Sequence, residues 1–321
     1  MTPVRPEILH NDAAGIARAA ELLRAGDLVA MPTETVYGLA GDARSDTACA
    51  RIFDAKGRPR FNPLIVHLPD LNAVEQIAVL NDGARALATA FWPGPLTMVL
   101  PLRQDHGLSP LISAGLETVA IRLPAHPAAQ ALLRAFAGPL AAPSANPSGR
   151  ISPTKAQHVA DGLGDKLSAI LDGGACAIGL ESTILAPRDA GTVLLREGGI
   201  ARENIEEITG ALQLDTTPGK VQAPGQLSSH YAPSVAVQMD SDLADATAIR
   251  VAFGPKGQAE FTLSETSDLI EAAANLFGVL HAADDLAQSR ARSQIHFASI
   301  PETGLGRAIN DRLRRAAAPR A

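Results

Sequence analysis

Short apolar strand-like segments alternate with amphipathic helical segments over the first two thirds of the chain, and this alternation is the strongest constraint on the fold. The predicted helices lie at 11–25, 47–55, 82–91, 127–137 and 202–209, and the predicted strands at 28–31, 64–68, 96–100, 119–123, 168–171, 183–186 and 192–196. Another helix is predicted to start at Ser152-Pro153, a capping hydroxyl followed by proline. Interleaved strands and helices indicate an α/β fold. Because their spacing is irregular, we do not predict a simple doubly wound sheet.

The chain changes character after residue 212, which predicts a domain boundary. Proline, glycine, serine and threonine are frequent from 213 to 234, as in a linker long enough to cross the surface of a domain. A strand (249–253), a helix (267–282), a strand (295–299) and a helix (304–317) are predicted after it. We therefore expect a first α/β domain over 1–212, a linker over 213–238 that could act as a lid, and a small α/β domain over 239–321.

The overall charge argues against a protein whose main task is to grip a nucleic-acid backbone. The 321 residues carry a formal net charge of −6, and residues 1–212 contain 18 basic and 22 acidic side chains. A nucleic-acid-binding domain normally presents a basic face. An RNA-binding module thus stays only as an alternative hypothesis, with a weak tRNA contact at most.

The two cysteines and the lengths of the apolar runs indicate in which cellular compartment the protein is expected. Cys49 and Cys176 show no metal-type spacing and are typical of small buried hydrophobes in a reducing environment. The sequence shows no signal segment and no apolar run of the roughly 18–20 residues needed to span a bilayer. We expect a cytoplasmic protein with no membrane contact and no metal ligands from the protein.

A cationic turn follows the helix predicted at 47–55. Lys56, Arg58 and Arg60 fall within five residues, and Gly57 and Pro59 shape the turn. Such side chains could neutralise a triphosphate and offer forked donors to its oxygens. The alternative is a set of cations that only stabilise the end of the preceding helix.

Hydroxyl-rich or glycine-rich segments follow several of the predicted strands. They are 32–39, 143–149, 179–183 and 196–199. Ligands in α/β folds collect at the carboxyl ends of strands, although each segment could also be a plain polar turn. His230 and Tyr231 lie in the linker, where they could fold over a site as a lid.

Several common motifs are missing from the sequence. It contains no G-x-x-x-x-G-K-[ST] for a phosphate-binding loop, no G-x-G-x-x-G after a strand, no H-E-x-x-H and no G-x-S-x-G. A nucleotide would therefore be held by some other arrangement.

Nine stretches, in order along nearly the whole chain, resemble the threonylcarbamoyl-AMP synthase family in its long two-domain form. They are PTETVYGL (32–39), KGRPRFNPLIVH (56–67), WPGPLT (92–97), VAIRLPAHP (119–127), APSANPSG (142–149), ESTI (181–184), LREGGI (195–200), HYAP (230–233) and GLGRAINDRLRRAA (304–317). The resemblance implies a YrdC-like twisted mixed sheet with flanking helices, plus a second, smaller Rossmann-like α/β domain.

The resemblance also implies a reaction and a set of site residues. L-threonine, bicarbonate and ATP, with Mg²⁺ accompanying ATP, would give threonylcarbamoyl-AMP and pyrophosphate, and a separate transferase would pass the threonylcarbamoyl group to tRNA. The implied threonine-binding residues are Thr35, His67, Arg122, Ala142 and Ser182. The implied ATP-binding residues are Lys56, Arg58, Asn62, Thr118, Ser144, Ser152, Arg196 and Tyr231, with Lys56 and Arg58 as the catalytic pair.

Two departures and one related enzyme class qualify the resemblance. Residues 224–229 and Ser234 are uncharged where basic residues are frequent in the family, so the linker would hold phosphate more by shape than by charge. Hydrogenase-maturation carbamoyltransferases contain a related domain that makes carbamoyl-adenylate, but they are longer and carry zinc-type cysteines that this sequence lacks. A carbamoyl-adenylate-forming enzyme is thus the second alternative.

Overall fold

The computed structural model describes residues 5–214 and 230–319. Its strands are β1 (Glu7–His10), β2 (Val29–Met31), β3 (Gly38–Asp42), β4 (Ile65–His67), β5 (Leu96–Pro101), β6 (Thr118–Arg122), β7 (Leu140–Ala141), β8 (Ala169–Asp172), β9 (Thr183–Arg188), β10 (Gly191–Arg196), β11 (Gln213–Leu214), β12 (Ala236–Gln238), β13 (Ile249–Ala252), β14 (Phe261–Thr262) and β15 (Gln294–Phe297).

The helices lie between these strands. They are α1 (Ala13–Arg24), α2 (Asp46–Lys56), α3 (Leu71–Ile77), α4 (Asp82–Phe91), α5 (Pro110–Ser113), α6 (Pro127–Phe136), α7 (Ala156–Leu163), α8 (Arg202–Thr209), α9 (Leu269–Ser289) and α10 (Gly306–Ala317), with a 3₁₀ turn at Gly164–Lys166.

The described part of the chain up to residue 214 forms one mixed eleven-stranded sheet. The strand order is β1-β8-β2-β3-β7-β4-β6-β5-β9-β10-β11, in which β4 and β6 are parallel and β5 runs antiparallel to β6. This register places His67 opposite Arg122, and Arg122 opposite Thr97. The carboxyl ends of β4 and β6 therefore meet at one edge, where polar side chains can surround a ligand.

The second unit is a four-stranded parallel sheet in the order β12-β15-β13-β14, against which α9 packs. Its apolar core also includes four buried residues from outside this unit, Val36, Ile151, Leu180 and Tyr231. Gly179 approaches α9 so closely that an added Cβ would lie 2.3 Å from the carbonyl oxygen of Ala274. The two units therefore pack tightly beside the polar edge of the first sheet.

The predicted α/β class, with a mixed first sheet and a smaller second α/β unit, is confirmed. The helix predicted to start at Ser152-Pro153 instead begins at Ala156, with Lys155 as its N-terminal cap. Ser152 is fully buried and its hydroxyl donates to Glu181, so it does not cap a helix.

The predicted linker, 213–238, contains a strand at each end. β11 joins the first sheet beside β10, and β12 joins the second sheet beside β15. The family-specific departure at 224–229 lies outside the described residues. Within the described ranges, no helix is long and apolar enough to cross a bilayer.

Candidate active site

One cavity of about 50 Å³ lies at the polar edge of the first sheet, beside the second unit. Nine of the thirteen different residues predicted for the site line it: Thr35, Arg58, His67, Arg122, Ala142, Ser144, Ser182, Arg196 and Tyr231. Lining residues that were not among the predicted ligand-binding residues are Thr33, Val36, Gly38, Ile65, Pro143, Glu181 and the linker residue His230. The cationic turn and the hydroxyl-bearing loops thus share a single cavity.

Arg122, at the end of β6, organises one end of the cavity. Its guanidinium donates to Glu34 Oε1 at 2.6 Å, to Thr35 Oγ1 at 2.7 Å and to the carbonyl oxygen of Gly94 at 3.2 Å. Thr35 Oγ1 lies 2.8 Å from Thr33 Oγ1. These bonds therefore hold the Arg122 side chain in one orientation on the cavity wall.

Two titratable groups beside Arg122 have shifted pKa values. Burial alone would raise the pKa of Glu34, but the charge and hydrogen bond of Arg122 outweigh burial and lower it. Burial, followed by the charge of Arg122, lowers the pKa of His67 to about 3. His67 is thus neutral near pH 7, and its Nδ1, 3.3 Å from the carbonyl oxygen of Ile65, is placed to carry the proton.

Ser182, just before β9, adjoins this end, and Arg196, at the end of β10, contacts Ser182 and also lies close enough to Arg58 for its charge to act on it. Ser182 Oγ lies 2.7 Å from Thr97 Oγ1, and Arg196 donates to the Ser182 carbonyl oxygen at 2.8 Å. Glycine is required at 198, because an added Cβ would lie 2.3 Å from the backbone nitrogen of Thr183. This close approach explains why the R-E-G-G turn lies so near the E-S-T segment.

Arg58 lines another part of the cavity, and Asn62, which does not line it, holds the Arg58 side chain. Arg58 donates to Asn62 Oδ1 at 2.7 Å, to the Asn62 carbonyl oxygen at 3.1 Å and to the Pro63 carbonyl oxygen at 2.8 Å. Burial, with the charge of Arg196 as the next cause, lowers the pKa of Arg58 to about 10. Burial likewise lowers the pKa of Arg196 to about 10. Both guanidinium groups stay charged at pH 7, in surroundings where an anion would stabilise them.

Lys56 does not line the cavity. Its buried ammonium donates to the backbone carbonyl oxygens of Ser144 and Asn146. Burial, and secondly the charge of Arg58, lowers its pKa well below the ordinary value. The structure therefore places Lys56 under the 143–149 loop, one residue layer away from a ligand in the cavity.

Ser152, predicted to bind ATP, also lies behind the cavity wall. Its hydroxyl donates to Glu181 Oε1 at 2.6 Å, while Arg312 of α10 donates to Glu181 Oε2 at 3.0 Å. The sequence reasoning missed both charged residues. Glu181 and Arg312 lie inside stretches that resemble the family, ESTI and GLGRAINDRLRRAA, but the sequence does not indicate that they form an ion pair.

His230 and Tyr231 form the wall contributed by the segment between the two sheets. Tyr231 is 1% exposed and packs against Phe277 of α9, with ring centroids 5.3 Å apart. The backbone nitrogen of Ala232 donates to the carbonyl oxygen of Gly149 at 2.9 Å. This segment therefore closes against the loop that carries Ser144.

Thr118 lies outside this cavity, at the other end of β6. It shares a face of the strand with Ala120 and Arg122, about 13 Å from Arg122 at roughly 3.3 Å per residue. A second cavity of about 380 Å³ at that end is lined by Thr118 together with Val99 and Ala186. Ile65, Val99, Ala120 and Ala186 belong to one apolar cluster, so an apolar strip runs between the two cavities.

The described residues around the cavity do not form a binding site for a magnesium ion. Among the described residues, no group of three or more histidine, cysteine, aspartate or glutamate side chains could hold a metal. Glu181, the carboxylate that lines the cavity, is engaged by Ser152 and Arg312. These residues do not fit a resident metal, and any Mg²⁺ would have to arrive with a phosphate ligand.

Two family models cover most of the chain. The first, described as telomere recombination (Sua5, YciO and YrdC), matches residues 21–198. The second, described as threonylcarbamoyl-AMP synthase, C-terminal domain, matches residues 200–318.

Similar proteins agree with these matches. The Bacillus subtilis threonylcarbamoyl-AMP synthase is 49% identical over 72% of this chain and 68% of its own length. The Pyrococcus abyssi threonylcarbamoyl-AMP synthase is 40% identical over 93% of this chain and 92% of its own. The crystal structure of P. abyssi Sua5 complexed with L-threonine superposes with a TM-score of 0.88 and 37% identity, covering 98% of each chain. Because both family models and full-length relatives match, this chain belongs to the threonylcarbamoyl-AMP synthase family in its two-domain form.

Proposed function

We propose that this protein joins L-threonine, bicarbonate and ATP into threonylcarbamoyl-AMP and pyrophosphate inside the cavity described above. The observation that carries the proposal is the convergence of Arg58, Arg122 and Arg196 on one cavity. Three guanidinium groups suit substrates that bring a carboxylate and a triphosphate.

The threonine end of the proposed site is the end around Arg122. Arg122 would bind the amino-acid carboxylate, with Glu34 and Thr35 holding its guanidinium in place. His67 and Ser182 would contact the amino-acid amine and hydroxyl, and Ala142 would form the apolar wall. Because His67 is neutral, it would not repel an amine.

The nucleotide end is the end around Arg58 and Arg196. Arg58, Asn62 and Arg196 would bind the phosphates, Ser144 would add a hydroxyl, and Tyr231 would cover them from the linker side. Ser152 contributes to this end through Glu181. The adenosine would extend along the apolar strip toward Thr118, the nucleotide contact that the family resemblance implies.

The chemistry needs positioning and charge more than a protein nucleophile. The neutral threonine amine attacks the carbon of bicarbonate-derived CO₂ and loses a proton, which gives a carbamate. A carbamate oxygen then attacks the α-phosphorus of ATP, the bond to the β-phosphate oxygen breaks, and pyrophosphate leaves. Arg58, with Lys56 behind it, would offset the charge that grows on the leaving group, while Mg²⁺ enters only as the ion bound to ATP.

The reactivity of threonylcarbamoyl-AMP indicates which protein partner the enzyme would need. A carboxyl–phosphate mixed anhydride hydrolyses in water, so a transferase acting on tRNA would have to collect it quickly, and a weak tRNA contact with this protein would assist. Covering the cavity with the 230–233 segment would exclude water from both the carbamate and the anhydride. We place this reaction in the cytoplasm, consistent with two buried free cysteines.

Pyrophosphate release by the purified protein tests the proposal. Release should require ATP, L-threonine and bicarbonate together, and carbamoyl phosphate should not replace them. Arg58→Ala should lower kcat/KM by roughly 30- to 900-fold, which corresponds to about 2–4 kcal/mol for one charge-stabilising group. The matched control is Arg51→Ala, which removes an exposed arginine from the preceding helix.

Each outcome has a clear reading. Threonine-independent pyrophosphate release, or use of carbamoyl phosphate instead of bicarbonate and threonine, would refute the proposed reaction. A melting curve and circular dichroism spectrum of Arg58→Ala separate lost chemistry from lost fold. If the folded Arg58→Ala protein keeps full activity, the triphosphate lies elsewhere.

A further inference from the structure

A buried arginine from the second unit reaches the wall of the catalytic cavity. Arg312 of α10 is 1% exposed, and its Nε donates to Glu181 Oε2 at 3.0 Å. Its Nη1 donates to the neighbouring Asp311 at 2.9 Å, and its Nη2 is a buried atom with no hydrogen-bond partner among the described residues. The guanidinium carbon also lies 5.6 Å from the ring centre of Tyr231.

Glu181 transmits this contact to the nucleotide end. Its side chain lines the cavity, and its other oxygen accepts the hydroxyl hydrogen of Ser152 at 2.6 Å. Arg312 therefore touches, directly or through one carboxylate, two of the residues proposed to bind ATP: Tyr231 and Ser152. The link joins parts of the chain that are 131 residues apart in sequence.

The charge balance explains why such a link is needed. A triphosphate carries several negative charges, and a buried carboxylate on the cavity wall would repel it. The charged and titratable groups that face Glu181 are Arg312, Arg196, His230 and Tyr231. His230 is neutral near pH 7, because burial lowers its pKa to about 3, and Arg196 is already committed to the phosphates in our proposal.

We propose that Arg312 is a positioning residue for nucleotide binding: it neutralises Glu181 and holds this carboxylate against Ser152, so that the second unit completes the ATP end of the cavity. This inference rests on the proposed function. In this proposal the second unit supplies the positive charge that neutralises Glu181.

The test uses the full-length protein with four changes: Arg312→Met, Glu181→Gln, the double variant, and Arg314→Met. Arg314 is the matched control, because it lies on the same helix and pairs with Glu302 at the surface. KM for ATP, KM for threonine and direct ATP binding are measured from pH 6 to pH 8.5, with a melting curve for each protein.

Arg312→Met should raise KM and Kd for ATP by about tenfold or more at pH 8, because an unpaired buried carboxylate then faces the triphosphate. KM for threonine should change much less. The double variant should return KM for ATP to within about threefold of wild type, because no unpaired charge remains. Arg314→Met should match wild type.

The pH profile separates this role from a merely structural one. Burial opposes ionisation of Glu181, and Arg312 is the first of the groups that keep its pKa low. Without Arg312 the pKa of Glu181 should rise, so Glu181 should become neutral as the pH falls. The ratio of KM for ATP between Arg312→Met and wild type should therefore shrink toward pH 6.

Three results would overturn the inference. They are an unchanged KM for ATP in Arg312→Met, a defect that the double variant does not relieve, and a defect with no pH dependence. If Arg312→Met does not fold, Arg312→Lys and Arg312→Gln are compared instead. Arg312→Lys keeps the charge and should bind ATP more tightly than Arg312→Gln at pH 8. Equal ATP binding by these two variants would also refute the role. Failure of wild type to release pyrophosphate would instead refute the proposed function.

Discussion

Replacing Lys56 by methionine decides whether this lysine supports a loop or contacts the substrates. Its ammonium group is buried and donates to the backbone carbonyl oxygens of Ser144 and Asn146. The Ala145 amide, which donates to the Tyr37 carbonyl oxygen at 2.8 Å, and the Ser148 amide, which donates to the Lys56 carbonyl oxygen at 2.8 Å, also hold this loop. Methionine retains most of the side-chain volume and removes the ammonium group, with its hydrogen-bond donors and its charge.

The expected effect follows from two acceptors that lose their donor. A buried polar group left unsatisfied costs about 1–3 kcal/mol, so two cost about 2–6 kcal/mol. Removing a buried ammonium group offsets part of this cost, because burying the charged group is itself unfavourable. We expect local opening of the 143–149 loop to become easier by about 2–4 kcal/mol, or roughly 30- to 900-fold.

Hydrogen–deuterium exchange reads this opening directly. The amides of Ala145 and Ser148 should exchange faster in Lys56→Met by the factor given above, while amides in β13 and β15 should keep their rates. KM for ATP should rise because Ser144 belongs to the same loop. Lys155→Met is the control, because Lys155 is exposed at the start of α7.

One combination of results would refute this reasoning. If exchange at Ala145 and Ser148 is unchanged while kcat falls strongly, Lys56 acts on the substrates and not through the loop. That result would restore the direct catalytic role implied by the family resemblance, with the side chain moving when ATP binds.

Two further predictions concern Arg122 and Thr118. Arg122→Met should cost about 3–5 kcal/mol of stability, because it leaves Glu34 buried and unpaired. In wild type Arg122 lowers the pKa of Glu34, so the pair stabilises at neutral pH and its contribution is lost as the pH falls through that lowered pKa. In Arg122→Met the pKa of Glu34 should be raised. The loss in free energy of unfolding, measured with urea against a Glu34→Gln/Arg122→Met control, should therefore be largest at pH 8 and shrink toward pH 5. An equal loss at both pH values would contradict the pairing. Thr118→Val should raise KM for ATP about threefold, the scale of one hydrogen bond, and leave KM for threonine unchanged; an unaltered KM for ATP would mean that the adenosine does not extend along β6.

Some site residues could be predicted because the chain keeps them close together in sequence. Arg58 and Asn62 are four residues apart, and the turn after α2 brings them into contact at 2.7 Å. His67 and Arg122 end the parallel strands β4 and β6, and such ends meet at one edge, while Thr35 reaches Arg122 from the turn between β2 and β3. For Thr35, Arg58, His67 and Arg122, local pattern and family resemblance lead to the same cavity, whereas Asn62 only contacts Arg58.

Other predictions failed or were incomplete because a distant partner competes with the local pattern. Ser152-Pro153 has the form of a helix start, yet the Ser152 hydroxyl bonds to Glu181, 29 residues away. Lys56 has the form of a phosphate ligand, yet its ammonium is taken by carbonyl oxygens 88 and 90 residues away. A periodicity or a capping rule contains no information about such partners.

The sequence alone determined the alternation of strands and helices, the change of character after residue 212, and the segments that bring positive charge and hydroxyl groups to the strand ends, because all of these depend on neighbouring residues. The tertiary structure decided which charges face the cavity and which are neutralised behind it. Glu181 and Arg312 belong to different units and meet only when the two units pack, so their buried pair is set by three-dimensional proximity and the low polarity of the interface.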